Sequence, residues 1–436
     1  MHVSSDIFLQ HSENCRLFRI FDVYCIFYNV MNFMPNRSES LNIPFAQKKV
    51  ALFSTNFCPY SQTFVYDEVT SHERYVADVF TLNRQNEEQF PYDRVFEFDH
   101  TLCGAVEKKL YQTFLISPYR QYQLARGNYD ILAAHFGPGS LYALQFAYRS
   151  NLPLIATYHG YDVPLLLTKR RFQPQFWRYW GISHWMFKRV DRFLAASDEL
   201  HRLLIELGAP REKVFTWRLG VRIPDMKAPP PRNGKRLIQC GRFVEKKGFL
   251  DTLKAFAIVR NTYLNRNQPF DLHLDLVGDG PLLGKCQAFV AQNDLQNSVH
   301  FLSALDQNSF FARLAQSDIL LCPSVVASNG DRESGILVAK EAGARFVPVI
   351  GTYHGGIPEI IDHEKTGFLV QEHSPDQIAQ KLLLLLENDS LRRDMGFAAR
   401  KKIETEYKLE DRVRVLEDHY DQTIEETKNR PKRRWT

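Results

Sequence analysis

The stretch PDMKAPPPRNGK, residues 224–235, separates two parts of this sequence that share one pattern. Its three consecutive prolines hold the backbone extended, so it is predicted to be a stiff connector. On both sides, short apolar segments alternate with amphipathic stretches of helical length. The apolar segments before it are KVALFST (49–55), RVFEF (94–98), DILAA (130–134), PLIATY (153–158), RFLAAS (192–197) and KVFTW (213–217). Those after it are RLIQC (236–240), DLHLDLVG (271–278), VHFL (299–302), DILLC (318–322), VPVIG (347–351) and GFLV (367–370).

Short buried strands that alternate with helices are typical of a parallel, doubly wound sheet. We therefore predict an α/β protein with two Rossmann-like domains that face a deep cleft. A chain of 436 residues also exceeds what one hydrophobic core usually supports. The predicted parts are an N-terminal extension, disordered or not native (1–47, with Met31 or Met34 as a possible true start), a first domain (48–225), a linker (226–235), a second domain (236–408), a helix that packs back on the first domain (409–428) and a basic tail (429–436).

Composition excludes several classes of protein. Apolar residues make up 44% of the chain and charged residues 24%, as in ordinary globular proteins. We find no apolar run of about 18 residues, the length that a membrane span needs. The net charge of +5 is too small to indicate a nucleic-acid partner. The seven cysteines are scattered and form no C-x-x-C pair, which favours a reducing, cytoplasmic compartment and no zinc site.

Loops that follow strands are where parallel α/β sheets bind ligands. In GRFVEKKG (241–248), Arg242 and Lys247 could hold a diphosphate, because its oxygens accept charge-assisted hydrogen bonds from both cations. The alternative is a solvated basic loop. In LVGDGPL (276–282), Gly278 and Gly280 would let a flat ring or a phosphate approach the backbone, although a plain tight turn is the commoner case.

The stretch DRESGILVAKEAG (331–343) places one acid before a predicted helix and a second acid inside it. With the helix starting near Gly335, the N–H groups of Gly335, Ile336 and Leu337 would bind a phosphate at its positive end. Glu333 would then accept hydrogen bonds from hydroxyls beyond the phosphate, and Glu341 from a ribose diol. Taken alone, each glutamate could equally be a surface or capping acid.

A further glycine pair, Gly355-Gly356, precedes IPEIIDHEKTGFLV and predicts another turn where the backbone comes close to a ligand. Glu359 is expected to cap the helix that follows. In the first half, the loop after the first strand contains Tyr60 and Ser61, which are possible substrate contacts.

Taken together and in order, the motifs GRFVEKKG, VGDGP, ESGILVAKE and GGIPEIIDHEKTGFLV resemble those of the family 4 retaining glycosyltransferases. The third matches the family's E-x7-E signature, and the resemblance covers roughly residues 48–428. It implies the two-domain GT-B architecture. The segments SQTFVYDEV (61–69) and HGYDV (159–163) are most similar to bacterial exopolysaccharide enzymes of the colanic acid and amylovoran type.

The resemblance also implies residue roles. Arg242 and Lys247 match the cations that hold the donor diphosphate, Glu333 the acid that contacts the transferred sugar, and Glu341 the acid that binds the ribose. His159 matches the catalytic histidine. We expect transfer of a hexose from a UDP- or GDP-sugar with retention and without a metal or cofactor, to a glycan or a polyprenyl-diphosphate-linked acceptor.

Two departures from the family pattern stand out. Ser334-Gly335-Ile336 replaces the usual Gly-Phe-Gly or similar, and NFCPYSQ (56–62) lacks the paired glycines common after the first strand. Close approach of a phosphate from that side is therefore in question. Asp162 could orient His159 or bind acceptor hydroxyls, and His135 is expected to be structural or acceptor-side.

The segment 168–192 is basic and aromatic, with a single acid, Asp191. Such a mixture suits an anionic membrane surface, where a lipid-linked acceptor would reside, so we expect peripheral attachment to the inner face of the cell membrane. The alternative is an ordinary helix pair with buried aromatic residues. That outcome would favour a soluble sucrose- or trehalose-type synthase.

A nucleotide-sugar-binding protein without turnover is a second alternative. A dinucleotide oxidoreductase is disfavoured, because no G-x-G-x-x-G follows the first strand. The donor sugar, the base and the acceptor stay open.

Overall fold

The computed structural model describes residues 47–173 and 176–431, apart from the side chain of Arg170. Most of the predicted N-terminal extension and of the basic tail lies outside these residues. The described chain forms two parallel sheets of seven and six strands, each flanked by helices. The predicted class, two doubly wound parallel-sheet domains, is confirmed.

The first sheet has the strand order β3-β2-β1-β4-β5-β6-β7, and all of its pairs are parallel. Its central strands are apolar and buried, because helices cover both faces. The bounds are β1 Lys48–Phe57, β2 Tyr75–Arg84, β3 Val95–Phe96, β4 Ile131–His135, β5 Leu154–Tyr158, β6 Arg192–Ala195 and β7 Val214–Thr216.

The second sheet has the strand order β10-β9-β8-β11-β12-β13 and is also parallel throughout. The bounds are β8 Arg236–Cys240, β9 His273–Val277, β10 Val299–Leu302, β11 Ile319–Cys322, β12 Val349–Thr352 and β13 Gly367–Val370. In both sheets the order reverses direction at the first strand of the domain. The carboxyl ends beside this reversal are the usual ligand position in such folds.

The helices connect the strands. In the first half they are α1 Phe64–Val69, α2 Leu102–Phe114, α3 Pro118–Gly127, α4 Phe136–Ser150, α5 Pro164–Leu167, α6 Trp177–Arg189 and α7 Asp198–Glu206. In the second half they are α8 Phe249–Asn265, α9 Leu283–Gln292, α10 Gln307–Gln316, α11 Leu337–Gly343, α12 Ile357–Ile360, α13 Pro375–Leu386, α14 Asp389–Glu406 and α15 Leu409–Thr427. None of the helices in the described part of the chain combines the length and the apolar character that a bilayer crossing requires.

The strand β2 was not predicted from the sequence, although its residues YVADVFTLNR pair with β1 along most of their length. The acid within the apolar run explains the omission. Asp78 is buried, accepts a hydrogen bond of 2.6 Å from the Tyr129 hydroxyl and forms an ion pair of 2.6 Å with Arg94. A buried charge is tolerated when it is paired in this way, and these partners come from distant parts of the chain.

The last helix, Leu409–Thr427, returns to the first sheet, where Leu416 and Tyr420 join the apolar cluster around Val50 and Leu52. The buried Glu417 carboxylate accepts hydrogen bonds from the backbone N–H groups of Glu73 and Arg74, both at 2.9 Å. It also contacts His72 Nδ1 and Arg74 Nε, each at 3.1 Å. One acid therefore fastens the C-terminal helix to the loop before β2.

The basic, aromatic segment 168–192 divides into buried and exposed side chains. Tyr179, Met186 and Phe187 of α6 lie in the core of the first domain. In contrast, Phe172, Trp177 and Trp180 are 59%, 68% and 43% exposed. The segment is thus neither a wholly buried helix pair nor a wholly solvated surface.

Candidate active site

Three strand-to-helix loops meet where the carboxyl ends of the two sheets face each other. The hydroxyls of Ser197, after β6, and Ser334, before α11, are 2.8 Å apart and buried. Gly160, after β5, approaches the same serine, since a Cβ built on Gly160 would lie 3.4 Å from Ser334 Cβ. The predicted residues His159 and Glu333 each adjoin one of these contacts, so the fold brings their segments together.

Glu333 is held by two lysines of the loop after β8. Lys246 Nζ lies 3.1 Å from Oε1 and Lys247 Nζ lies 2.9 Å from Oε2. Burial alone would raise the pKa of Glu333, but the two ammonium groups outweigh it and lower the pKa to about 2. Burial likewise lowers the pKa of Lys247, and Glu333 raises it above its ordinary value overall. Glu333 and Lys247 are therefore both charged at neutral pH.

The predicted cation pair is only partly assembled. Lys247 contacts Glu333, whereas the Arg242 side chain is exposed and forms no ion pair with any residue in 47–173 or 176–431. Lys246, which sequence analysis treated only as part of a basic loop, also bridges to Asp331 at 3.2 Å. The adjacent lysines were visible in the sequence, but their common partner lies 86 residues away.

The predicted helix start was wrong by two residues, because α11 begins at Leu337 and the backbone at Ile336 is extended. Ile336 N–H donates a hydrogen bond of 3.0 Å to Ser334 O, so it is not available to a phosphate. Gly335 packs on the first domain, where an added Cβ would lie 3.1 Å from Ala196 Cβ. Of the three predicted N–H groups, only that of Leu337 belongs to the helix.

Glu341 lies in the middle of α11 and is half-buried. Its carboxylate makes no hydrogen bond or ion pair with another described residue, although Arg345 lies near enough to act on its charge. Burial raises the pKa of Glu341 to about 7, against the opposing effect of Arg345, while Asp67 of the first domain adds to the rise. This acid is consequently poised between its two protonation states at neutral pH.

The glycines in these turns allow other parts of the protein's own backbone to approach closely. A Cβ on Gly278 would lie 2.1 Å from Gly241 O, and one on Gly280 would lie 2.7 Å from Phe243 N. Likewise, a Cβ on Gly355 would lie 2.2 Å from Glu333 O, and one on Gly356 would lie 2.4 Å from Ser334 O. These approaches explain the glycines without a ligand, and the second pair brings the loop after β12 against the segment that carries Glu333.

Two residues that position Glu333 were not predicted from the sequence. His354, buried after β12, accepts a hydrogen bond of 3.0 Å at Nε2 from the backbone N–H of Glu333. Its Nδ1 lies 2.8 Å from Glu372 Oε1, and a carboxylate there favours the tautomer with the proton on Nδ1. Glu372 and His354 therefore orient the backbone of Glu333.

The prediction that Glu359 caps its own helix was wrong. Glu359 lies inside α12, where its carboxylate accepts a hydrogen bond of 2.7 Å from the backbone N–H of Asp198 and one of 2.5 Å from Arg218 Nε. It thus joins the second domain to the start of α7 in the first domain.

The first-domain histidines form one hydrogen-bonded chain. His159 Nε2 lies 2.8 Å from His135 Nδ1, and His135 Nε2 lies 3.2 Å from Glu68 Oε1. The rings of Phe64 and Phe136 pack against His159 at centroid distances of 4.6 and 4.7 Å. Burial, and then His135, lower the pKa of His159 well below its ordinary value, so this imidazole is neutral at pH 7.

The side chains of the other predicted first-domain residues do not join this chain of hydrogen bonds. Asp162 is fully buried and accepts hydrogen bonds of 3.1 Å from the backbone N–H groups of Gly137 and Gly160, so neither expected role of its side chain, with His159 or with acceptor hydroxyls, is seen. Burial raises the pKa of Asp162 to about 6, against the effect of those amides. Tyr60 and Ser61 are exposed in a short 3-10 helix, and neither side chain bonds to another described residue.

Known protein families match both halves of the sequence. Residues 72–223 match the family described as Glycosyltransferase Family 4, and residues 224–402 match glycosyl transferases group 1. The chain is a family 4 glycosyltransferase of GT-B architecture. In this glycosyltransferase the boundary between the two matches, after residue 223, coincides with the start of the proline-containing connector.

Individual relatives are distant. This glycosyltransferase is 28% identical over 287 residues to a putative colanic acid biosynthesis glycosyltransferase of Escherichia coli, a match that covers 64% of this chain and 67% of the relative. It is 27% identical over 290 residues to an amylovoran biosynthesis glycosyltransferase of Erwinia amylovora, covering 64% and 66%. The matches thus span about two thirds of these relatives. Anabaena HepE, solved with UDP and glucose, shares the fold at a TM-score of 0.66 and 17% identity, covering 86% of this chain and 100% of HepE.

Proposed function

We propose that this glycosyltransferase moves a hexose from a nucleotide-diphosphate sugar to a glycan or polyprenyl-diphosphate-linked acceptor in exopolysaccharide biosynthesis. The observation that carries the proposal is Glu333, an ionised acid held by two lysines where the two domains meet. A diphosphate competes well for ammonium groups. When it engages Lys247 and the exposed Arg242, Glu333 is released to accept hydrogen bonds from hydroxyls of the attached sugar.

The remaining roles follow from this arrangement. Lys247 and Arg242 would stabilise the negative charge that grows on the leaving diphosphate, which is electrostatic catalysis by fixed charges and needs no metal ion. Glu341 would accept hydrogen bonds from the ribose. His159, on the opposite domain, would contact the reacting sugar. We propose retention at the anomeric carbon by attack on the same face, with the two domains excluding water.

A uridine donor is favoured over a guanosine donor, since HepE was solved with UDP and glucose. The exopolysaccharide role is supported by the relatives from colanic acid and amylovoran biosynthesis. A cytoplasmic location is consistent with a nucleotide-sugar donor.

The test is a panel of UDP- and GDP-sugars, with melting temperature measured first and transfer second. A true donor raises the melting temperature, because it binds only the folded protein. Lys247→Met should weaken donor binding by about 10-fold or more, which corresponds to one charge-assisted hydrogen bond. Glu333→Gln should lower kcat with less effect on the donor KM. Normal transfer by both variants would contradict the proposal, and donor binding without any transfer would favour the non-catalytic alternative.

Two further measurements address the chemistry. Activity in excess EDTA should equal activity with added Mg²⁺, and a loss in EDTA would contradict metal independence. The anomeric configuration of the product, read by proton NMR, should match that of the donor.

We also propose that the first domain binds an anionic membrane surface. Its exposed apolar side chains concentrate on two segments, 102–122 and 167–180: Leu102, Val106, Phe114, Ile116, Tyr122, Leu167, Phe172, Trp177 and Trp180. An apolar cavity of about 540 Å³ adjoins the first segment and is lined by Phe114, Ile182 and Trp185 among others. Residues 163–190 contain no acid, and in 102–126 the single acid, Glu107, is buried. Lysines and arginines beside exposed aromatic rings suit anionic headgroups.

Vesicle flotation tests this surface. We expect binding to vesicles with phosphatidylglycerol at low salt and weaker binding to phosphatidylcholine alone. Trp177→Glu should reduce binding by about 10-fold. Leu384→Glu is the matched control, since Leu384 is an exposed apolar residue of the second domain at 41% exposure. Equal loss in both variants, or no binding by the wild type, would contradict the proposal.

A further inference from the structure

We propose that Glu68 and His135 are positioning residues that fix the tautomer of His159, leaving His159 Nδ1 as a hydrogen-bond acceptor for a sugar hydroxyl. The three side chains come from α1, the end of β4 and the residue after β5. They form one continuous chain of hydrogen bonds, with distances of 3.2 and 2.8 Å.

The direction of each hydrogen bond follows from Glu68. A carboxylate can only accept, so His135 carries its proton on Nε2 and donates it to Glu68 Oε1. When that proton is the one the His135 ring carries, its Nδ1 has a lone pair. His159 must donate to that lone pair from Nε2, and its own Nδ1 is left without a proton.

The buried surroundings of the three side chains stabilise these hydrogen bonds. Glu68 and His135 are 2% exposed, and Phe64 and Phe136 cover the His159 ring. Hydrogen bonds are stronger where water is excluded. Asp162 does not compete for the imidazole, because its two oxygens accept from Gly137 and Gly160. Tyr420 is a titratable group near Glu68, and burial, followed by Glu68, keeps its pKa above the ordinary value, so it stays neutral.

The end of the chain indicates what binds there. His159 Nδ1 is shielded from water and has no hydrogen-bond partner among the described residues. A buried acceptor without a donor costs free energy, so a group that supplies one binds favourably. A sugar hydroxyl is such a group. The role of this contact in transfer rests on the proposed function, whereas the tautomers themselves do not.

The test starts with nitrogen NMR of the full chain labelled with ¹⁵N-histidine, with His159 and His135 assigned from His159→Gln and His135→Gln variants. We expect His159 to be neutral at pH 7 with its proton on Nε2, and His135 to carry a proton on Nε2 and none on Nδ1. Glu68→Gln should disturb both signals, because a carboxamide can donate as well as accept and no longer fixes His135. A proton on Nδ1 of His159 in the wild type would overturn the proposal, whatever the activity.

Kinetics supply the second measurement. Glu68→Gln should lower kcat by about 10- to 100-fold, with donor KM changed less than about 2-fold, and should alter the acid limb of the pH profile. Glu68→Asp, which keeps the charge, should recover part of the loss. The matched control is Glu107→Gln, since Glu107 is another buried first-domain acid, bonded at 2.5 Å to Ser117 Oγ and at 3.0 Å to Tyr119 N–H. This control should lose stability and retain kcat.

The outcomes separate the two proposals. If the wild type has the expected tautomers but transfers no sugar, the proposed function fails while the tautomer assignment stands. If the wild type is active and Glu68→Gln matches Glu107→Gln in kcat and in both histidine signals, the positioning role fails while the transferase proposal stands.

Discussion

Glu333 and Glu341 share one short segment, yet their environments move their pKa values in opposite directions. Both are taken from water by the surrounding protein, which disfavours the charged form. Two lysine ammonium groups reverse this effect at Glu333 and lower its pKa to about 2. Glu341 has no comparable partner among residues 47–173 and 176–431, and burial raises its pKa to about 7. Nothing in the spacing of the two acids distinguishes them, so the difference comes from their neighbours.

Glu341→Gln should therefore change how stability depends on pH. The folded-state pKa of Glu341 lies above the ordinary value of 4.5, so its protonated form favours folding at low pH and this advantage is lost as pH rises through about 7. We expect the variant to melt about 2 °C above the wild type at pH 8, with the difference disappearing near pH 4.5. Calorimetry across this range is the measurement, and a difference independent of pH would argue against a titrating Glu341.

The same substitution should weaken nucleotide binding. Glutamine keeps one oxygen but loses the charge that strengthens hydrogen bonds from a ribose diol, so UDP affinity should fall by about 10-fold at pH 8. Isothermal titration with UDP checks this expectation. Unchanged affinity would remove Glu341 from the proposed ribose site.

At the scale of elements, one buried acid attaches the C-terminal helix to the first domain. The Glu417 carboxylate accepts from two backbone N–H groups and contacts His72 and Arg74. Burial would raise the pKa of Glu417, but the hydrogen bonds of His72 and Arg74 outweigh it and lower the pKa to about 2. The helix thus depends on a polar contact as well as on Leu416 and Tyr420.

Glu417→Gln should destabilise the protein by about 2 kcal/mol at pH 7, because the buried donors lose a charged acceptor. The folded-state pKa of Glu417 lies below its ordinary value. Its contribution is therefore present above pH 4.5 and is lost as pH falls toward about 2. Urea unfolding of both proteins at several pH values measures the difference, which should shrink in acid. Asp418→Asn is the control, since Asp418 is an exposed neighbour that also pairs with Arg74.

At the scale of the whole molecule, polar contacts join the two sheet domains. Glu359 joins α12 to Asp198 and Arg218, and Arg332 pairs with Glu199 at 2.6 Å. Ser197 and Ser334 meet beside the candidate site. These contacts are individually weak because several are partly exposed. An interface of this kind permits the domains to separate, as substrate entry into a cleft requires.

Glu359→Gln should shift the free protein toward an open arrangement. We expect a larger radius of gyration in X-ray scattering and a donor KM raised by about 3- to 10-fold, with kcat nearly unchanged, because closure must then be driven by donor binding. Asp362→Asn is the matched control, since its partner Lys402 belongs to the same domain. If both variants scatter like the wild type, Glu359 does not control domain closure.

The amino-acid sequence by itself determined the alternation of strands and helices, the two-domain division and the loops that carry the candidate site. These features are local, because a strand or helix buried on a fixed face repeats its apolar residues at a fixed interval. The strand β2 was not predicted, because Asp78 interrupts its apolar run. This acid is tolerated in the core because it is paired with Arg94 and Tyr129, which lie elsewhere in the chain.

Only the tertiary structure decided which charged and polar groups act together. Lys246 joined Lys247 on Glu333 while Arg242 did not, and Glu68, 67 residues from His135, became its hydrogen-bond partner. The strength of a hydrogen bond or an ion pair changes when the distance between its atoms changes by a few tenths of an ångström. It also depends on whether water is excluded. Both arise from packing between segments far apart in the chain, which no local spacing of residues encodes.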